Sequence, residues 1–163
     1  MWKKIDDYEN YSVSMNGDVR NDKTGRILKQ NLGNGYYQVG LCKNGKEKKH
    51  LVHRLVAIAF IKKEECRDFV DHIDGDRTNN SLTNLRWCTH KENQQNQSLS
   101  KKNTSGFKGV YFHKARQKWR AEIMVDGKLI YLGLFDTIEQ ASVVRSARAN
   151  IEFGDFTNSC EKI

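Results

Sequence analysis

Asp71, His72, Asp74, Asp76, Asn84, His90 and Asn93 all fall in one short stretch, residues 70–96, VDHIDGDRTNNSLTNLRWCTHKENQQN. The oxygens of Asp and Asn suit a hard divalent cation, and imidazole is the side chain that gains and loses a proton near neutral pH. Together they have the chemistry of one metal site beside one base. Asp71 and His72 are adjacent, so on a strand their side chains point to opposite faces. The carboxylate can then bind a cation while the imidazole works beside it. Alone, an Asp-His pair is usually a solvated surface feature, and Asp-Gly-Asp and Asn-Asn are ordinary turn residues. It is their joint spacing that points to a site.

Positioning these groups needs a strand over 70–73, a turn at Asp74-Gly75-Asp76 and a polar loop through Thr78-Asn79-Asn80-Ser81. A returning strand over 84–88 follows, anchored by the apolar Trp87. Thr89 and Glu92 have the spacing of a capping box, which starts a helix carrying Asn93 in its first turns. The order strand, loop, strand, helix, with Asp71-His72-Ile73-Asp74-Gly75-Asp76, Asn79-Asn80, Asn84-Leu85-Arg86-Trp87 and Glu92-Asn93, resembles the ββα-metal core of the HNH endonucleases of phage and intron homing enzymes. The resemblance implies that His72 is the general base, Asp71 one metal ligand, Asn84 the residue that pins the loop and Asn93 the second ligand. The motif's final His aligns with Asn93, and His90 lies three residues earlier on the same helix face, so His90 is the alternative ligand. The implied cofactor is one divalent cation, Mg²⁺ with Mn²⁺ as the alternative, because Asp and Asn oxygens suit a hard ion better than zinc.

With 163 residues and 37% hydrophobic content, two or three small modules fit better than one large core. A net charge of +8 and a sequence pI near 9.3 favour a polyanionic partner, although basic surfaces also serve solubility or membrane attachment. The charge is uneven: +5 over residues 1–60, −1 over 61–100 and +4 over 101–163. The acidic dip coincides with the candidate metal site, where basic flanks would hold phosphates. Cys42, Cys66, Cys88 and Cys160 form no C-x-x-C pair, which argues for reduced thiols rather than structural zinc or a disulfide framework. The amino terminus turns acidic where a signal peptide would become apolar, and the apolar run at 55–61 is too short to cross a bilayer. The expectation is a cytoplasmic protein without membrane contact.

Ahead of the site, alternation at 11–15, the Asn16-Gly17 turn and a return at 18–20 predict a hairpin, and 35–41 and 48–52 predict two more strands. From Trp2 to Lys29 the pattern W-K-x-I…Y-x-V-S-x-x-G-x-V-R…G-R-x-L-K resembles the nuclease-associated modular motif that precedes HNH cores. Val52, Leu55, Val56, Ala59 and Phe60 predict an amphipathic helix, with His53 and Arg54 on its polar side. HRLVAIAF resembles the segment just before the Asp-His strand in the same nuclease group. Arg54 is expected to meet DNA, and His53 to be a surface hydrogen-bonding or phosphate-contacting residue.

Past a polar, basic stretch, strands are expected over 109–113, 118–125 and 128–133, with Asp126-Gly127 as a hairpin turn. A helix capped by Thr137 should follow, its apolar side formed by Ile138, Ala141, Val144, Ala147 and Ile151. The segments around Phe107, Trp119, Tyr131 and Thr137 resemble the ethylene-response-factor (Apetala-type) DNA-binding domain over 105–156. That resemblance places Lys108, Tyr111, His113, Arg116 and Tyr131 on or near DNA-contact positions, and Lys118, Arg120 and Lys128 add to the same basic face. Trp119 reads as core.

The resulting expectation is an α+β chain in five parts. These are a β-hairpin motif at 1–50, a ββα-metal core at 51–99, a linker at 100–106, a sheet-plus-helix domain at 107–156 and a tail at 157–163. By resemblance it is an HNH endonuclease that nicks double-stranded DNA as a monomer or weak dimer. The alternative is a sequence-specific DNA-binding regulator with an inactive nuclease core.

Overall fold

The computed structural model describes residues 1–161. The chain divides into two compact units, Met1–Asn93 and Gln94–Ile163.

In the first unit, β1 (Trp2–Ile5), β2 (Tyr8–Ser14) and β3 (Val19–Asn21) form an antiparallel sheet in sequence order. A second sheet follows the same way, with β4 (Asn31–Gly33), β5 (Tyr36–Lys43) and β6 (Lys46–Leu51). Its two turns, Asn34-Gly35 and Asn44-Gly45, both have positive φ at both residues, the twist a two-residue hairpin requires. β1 and β4 go beyond the sequence reading: Trp2-Lys3-Lys4-Ile5 sets two lysines side by side and Asn31-Leu32-Gly33 holds a single large apolar residue, so neither shows alternation strong enough to mark a strand. Helix α1 (Val52–Phe60) follows β6 directly and packs Val52, Leu55 and Val56 among Val13, Val19, Val39, Leu41, Val70 and Leu85. It is the centre of the core, and both sheets lean on it.

The polar placement of His53 does not hold: its side chain is buried. At about 100° of turn per residue, His53 and Ala57 flank the apolar stripe, and α1 is covered widely enough to bury both. The outward side is left to half-buried Arg54 and exposed Ile58.

Strands β7 (Phe69–His72) and β8 (Leu85–Cys88) form a separate antiparallel pair, followed by α2 (His90–Gln95). A 3₁₀ turn, Leu82–Asn84, leads into β8.

The second unit is an antiparallel sheet of β9 (Val110–His113), β10 (Lys118–Val125) and β11 (Lys128–Phe135), with β10 central and α3 (Ile138–Phe153) packed against it. Val110, Ala121 and Ala141 form its core, with Trp119, Leu132, Phe135 and Ile138 against them. The Thr137–Gln140 capping box is present. The buried face of α3 is Ala141, Arg145 and Ala149, while Ala147 and Ile151 are exposed. Apolar residues at every third position drift around a helix of 3.6 residues per turn, whereas steps of four hold one face. Arg145 occupies that face because Glu161 returns to meet it, Nη1 to Oε1 at 2.6 Å. Residues 94–97, read as the start of a polar boundary, are partly ordered by packing: Asn96 is buried and accepts from Asn158. Among the described residues, no helix is long and apolar enough to cross a membrane.

Candidate functional site

Register on the β7–β8 pair sets the site. Asp71 stands opposite Arg86, and His72 opposite Leu85. His72 and Val70 share one face, toward α1, and Asp71 and Phe69 share the other.

His72 is buried, and its Nε2 lies 3.2 Å from Asn80 Oδ1. An amide oxygen can only accept, so this contact places the neutral ring's proton on Nε2 and the basic lone pair on Nδ1. Asn80 is itself buried under the first hairpin: a Cβ at Gly17 would come within 2.9 Å of Asn80 Cβ. Gly17 therefore serves twice, by its φ of +90° and by letting the turn approach the loop. Leu82 N–H donates to the Met15 carbonyl at 2.7 Å beside it. Around His72, the ring centroid of His53 is 5.0 Å away and that of Tyr36 is 6.0 Å away. Burial, then the neighbouring His72 and the charge of Arg54, hold the His53 imidazole down at about 4. His53 is therefore neutral at physiological pH.

The loop between the strands is tied by Asn84. Its Oδ1 accepts from Asp74 N–H at 3.0 Å, and its Nδ2 donates to Asp74 Oδ1 and to the Asn79 carbonyl, both at 2.9 Å. Burial opposes the Asp74 charge, but donors from Asn79, Asn84 and the Asp76 N–H outweigh it and hold the carboxyl below its ordinary range. Asp76 is occupied by Thr78 through both hydroxyl and N–H.

On the opposite face, Asp71 Oδ2 receives Arg86 Nε at 2.8 Å and Nη2 at 2.7 Å, and Asp71 is buried. The capping box of α2 is formed, Thr89 N–H to Glu92 Oε2 at 2.8 Å and Glu92 N–H to Thr89 Oγ1 at 3.2 Å, and Arg67 braces Glu92 at 3.0 Å. Asn93 is half-buried on this helix. His90 is exposed and set edge-on to Phe69 at 5.4 Å. Phe69 and Asp71 share a face, so the first turn of α2 covers the Asp71 side. Burial, with the charges of Asp71 and Glu92, pushes the Cys88 thiol up to about 12, leaving it inert.

Among the described residues, no cluster of three or more His, Cys, Asp and Glu side chains could hold a metal ion. The donors that the resemblance implies would be the Asp71 carboxylate and the amide oxygen of Asn93. Such a sparse oxygen set would suit a hard divalent cation that keeps several waters and completes its shell with substrate phosphates. Arg86 shares the Asp71 carboxylate, so an ion there would bind beside an existing pair.

The expected DNA contacts of the second unit divide by burial. Tyr111 and Tyr131 are exposed on the sheet, with the Arg120 guanidinium 5.8 Å and 5.1 Å from their rings. Arg120 Nε also donates to Glu122 at 2.6 Å, and Lys118 pairs with Asp136 at 3.0 Å. Arg116 and Lys128 are exposed, and His113 Nδ1 accepts from the Arg116 N–H. Lys108 instead turns inward, 3.0 Å from the buried Glu161, because that carboxylate needs cations. In the first unit, Arg54 donates to the Asp68 carbonyl at 3.1 Å and lies 5.8 Å from the Trp87 ring.

The family described as HNH endonuclease matches residues 50–95, and the NUMOD4 motif matches residues 1–42. The solved structure of the HNH homing endonuclease I-HmuI, described with DNA binding and cleavage, superposes with a TM-score of 0.56 at 36% identity, over 94% of this chain and 83% of that one. The chain belongs to the HNH endonucleases. Among curated HNH relatives, the DNA endonuclease I-HmuI of Bacillus phage SP01 is 49% identical over 98 residues, 59% of this chain and 56% of that protein. An uncharacterized HNH endonuclease, L245, of Acanthamoeba polyphaga mimivirus is 36% identical over 142 residues, 87% of this chain and 39% of that protein. This HNH chain thus spans roughly two fifths to just over half of these two relatives' length.

The sequence reading gave no role to three residues that pack around His72 and Asp71 and misplaced one. Tyr36 comes from a strand outside the motif, Arg86 is revealed only by cross-strand register, and Asn80 reads as a loop residue until its side chain is seen on His72. His53 is the one misplaced.

Proposed function

We propose that this chain is a metal-dependent DNA endonuclease that hydrolyses one phosphodiester of double-stranded DNA, with His72 as general base. The observation that carries the reading is the buried His72 imidazole, oriented by Asn80 on a strand whose preceding residue, Asp71, presents a carboxylate to the opposite face. Nδ1 of His72 takes the proton of the attacking water, and the hydroxide oxygen forms the new bond to phosphorus in line as the 3′ oxygen leaves. The Nε2–H bond to Asn80 holds the ring in the tautomer that can accept that proton. Asn84 keeps the loop that carries Asn80 in place. A divalent cation, Mg²⁺ with Mn²⁺ as the alternative, would be held by Asp71 and Asn93, or by His90 in place of Asn93, and would neutralise charge on the scissile phosphate and the leaving oxygen.

The division of labour belongs to the same proposal. The amino-terminal hairpins and the carboxy-terminal sheet bind DNA around the cut, the sheet through Tyr111, His113, Arg116, Lys118, Arg120, Lys128 and Tyr131 in the manner of an ethylene-response-factor domain. In this proposal the parts of the chain are 1–50, 51–99, 100–106, 107–156 and 157–163. One site in one chain nicks one strand per encounter, and pairing of two chains would convert this to a double-strand cut.

A second reading, a DNA-binding regulator without cleavage, draws on the Asp71–Arg86 ion pair, since a carboxylate already neutralised is a weaker cation ligand. The two readings separate on supercoiled plasmid. Nicking in Mg²⁺ that stops in EDTA supports the nuclease, and DNA binding with no relaxation in Mg²⁺ or Mn²⁺ supports the regulator.

A further inference from the structure

We propose that Arg77 is a substrate-binding residue of this site, its guanidinium held over Tyr36 so that it grips a backbone phosphate beside the scissile bond. The inference rests on the endonuclease reading and adds a residue to it.

Tyr36 is the hub. Its ring centroid lies 5.0 Å from that of His53, 6.0 Å from that of His72 and 5.0 Å from the Arg77 guanidinium carbon. A cation over an aromatic face is attracted by the ring's negative π surface. Laid end to end, the last two distances put the Arg77 charge no more than about 11 Å from the His72 ring. Each phosphate of a strand takes roughly 3.4 Å of helix axis, so a phosphate next to or near the one attacked falls within reach.

Arg77 is exposed, yet its course is defined. Gly35, in the left-handed region at φ +80°, has no side chain in the way, and Arg77 Cδ and Nη1 pass 3.9 Å from where its Cβ would stand. The backbone on both sides is fixed by the loop's own bonds: Thr78 N–H to Asp76 Oδ1 at 2.8 Å, Asn79 N–H to the Asp76 carbonyl at 3.1 Å and Asn79 Nδ2 to Asp74 Oδ2 at 2.8 Å. Those bonds also occupy the nearby acids. Asp74 and Asp76 are consumed by loop donors, and among the described residues Arg77 makes no ion pair; its interaction is with the Tyr36 ring. A fixed, solvent-facing guanidinium with no carboxylate partner, beside a general base, has the chemistry of a phosphate ligand. Its planar fork can take two oxygens at once.

The test uses the full chain. Affinity for a fluorescent DNA duplex is measured against KCl in EDTA, and plasmid nicking is measured in Mg²⁺. Arg77→Ala and Arg77→Gln should each make the log–log salt slope less steep by about 0.9 and lower kcat/KM for nicking by about tenfold to a hundredfold, the range for a charged hydrogen bond. Arg77→Lys should restore the slope but only part of the activity. Tyr36→Leu should leave the slope unchanged while lowering kcat/KM, because the charge stays and its placement is lost. A wild-type slope in Arg77→Ala and Arg77→Gln overturns the phosphate contact, whether or not nicking falls. Should the wild-type chain bind DNA and never nick it, the nuclease reading fails while the slopes still decide Arg77.

Discussion

Lowering the pH should loosen the first unit through His53. His53 is 5% exposed and held down at about 4, against 6.5 for an ordinary imidazole. The unfolded chain therefore takes up a proton at His53 below about 6.5 that the folded chain refuses until about 4. Stability contributed by the neutral ring is complete above 6.5 and is lost as pH falls across that window. At 1.36 kcal/mol per pH unit the loss reaches about 3 kcal/mol, roughly two powers of ten in the opening equilibrium. Burial also lowers His50, which adds a change of the same sign. Hydrogen exchange of the β2 and β5 core amides reads the opening free energy of this unit separately from the other. His53→Gln, which carries no proton in this range, should flatten most of the dependence between pH 6.5 and 4. If His53→Gln keeps the wild-type dependence, or the wild type shows none, the imidazole is not held neutral by its surroundings and the reasoning fails.

His72→Ala should lower nicking by about 10²- to 10⁴-fold while DNA affinity stays within a few-fold; unchanged nicking would remove it as the base. In Mg²⁺ titrations of nicking, Asn93→Ala should raise the metal concentration needed and His90→Ala should do little, and the opposite order would assign the second ligand to His90. Lys108→Ala should destabilise the second unit by about 1.5–3 kcal/mol, the range for one hydrogen bond to a charged group, because Glu161 keeps its pairing with Arg145, and should leave the DNA salt slope alone. Lys128→Ala should do the reverse, flattening that slope by about 0.9 with little effect on denaturation. Equal effects of the two on denaturation would contradict the inward course of Lys108.

What could be read without the fold was local. Asn16-Gly17 and Asp126-Gly127 announce their turns because few other residues tolerate the backbone they need, and Thr89–Glu92 and Thr137–Gln140 announce helix starts because each box closes on itself within four residues. The Asp71-His72 strand, the Asn84 return and the Asn93 helix were legible for the same reason: they lie within one continuous stretch whose residue types fix its hydrogen bonds. Tertiary structure decided everything that depends on two distant segments meeting. The spacing of Val52, Leu55 and Val56 gives α1 an inward direction but not the width of what covers it, and that width buries His53 against His72 and Tyr36. Arg145 sits on the buried face of α3, outside the apolar side expected at Ile138, Ala141, Val144, Ala147 and Ile151, because Glu161, sixteen residues later, comes back to neutralise it. Asn80 orients the base because a hairpin turn more than sixty residues earlier ends in a glycine small enough to press upon it. Sequence types set which contacts a residue can make, and only the packed chain selects the partner, because burial and cross-strand register are properties of several segments at once.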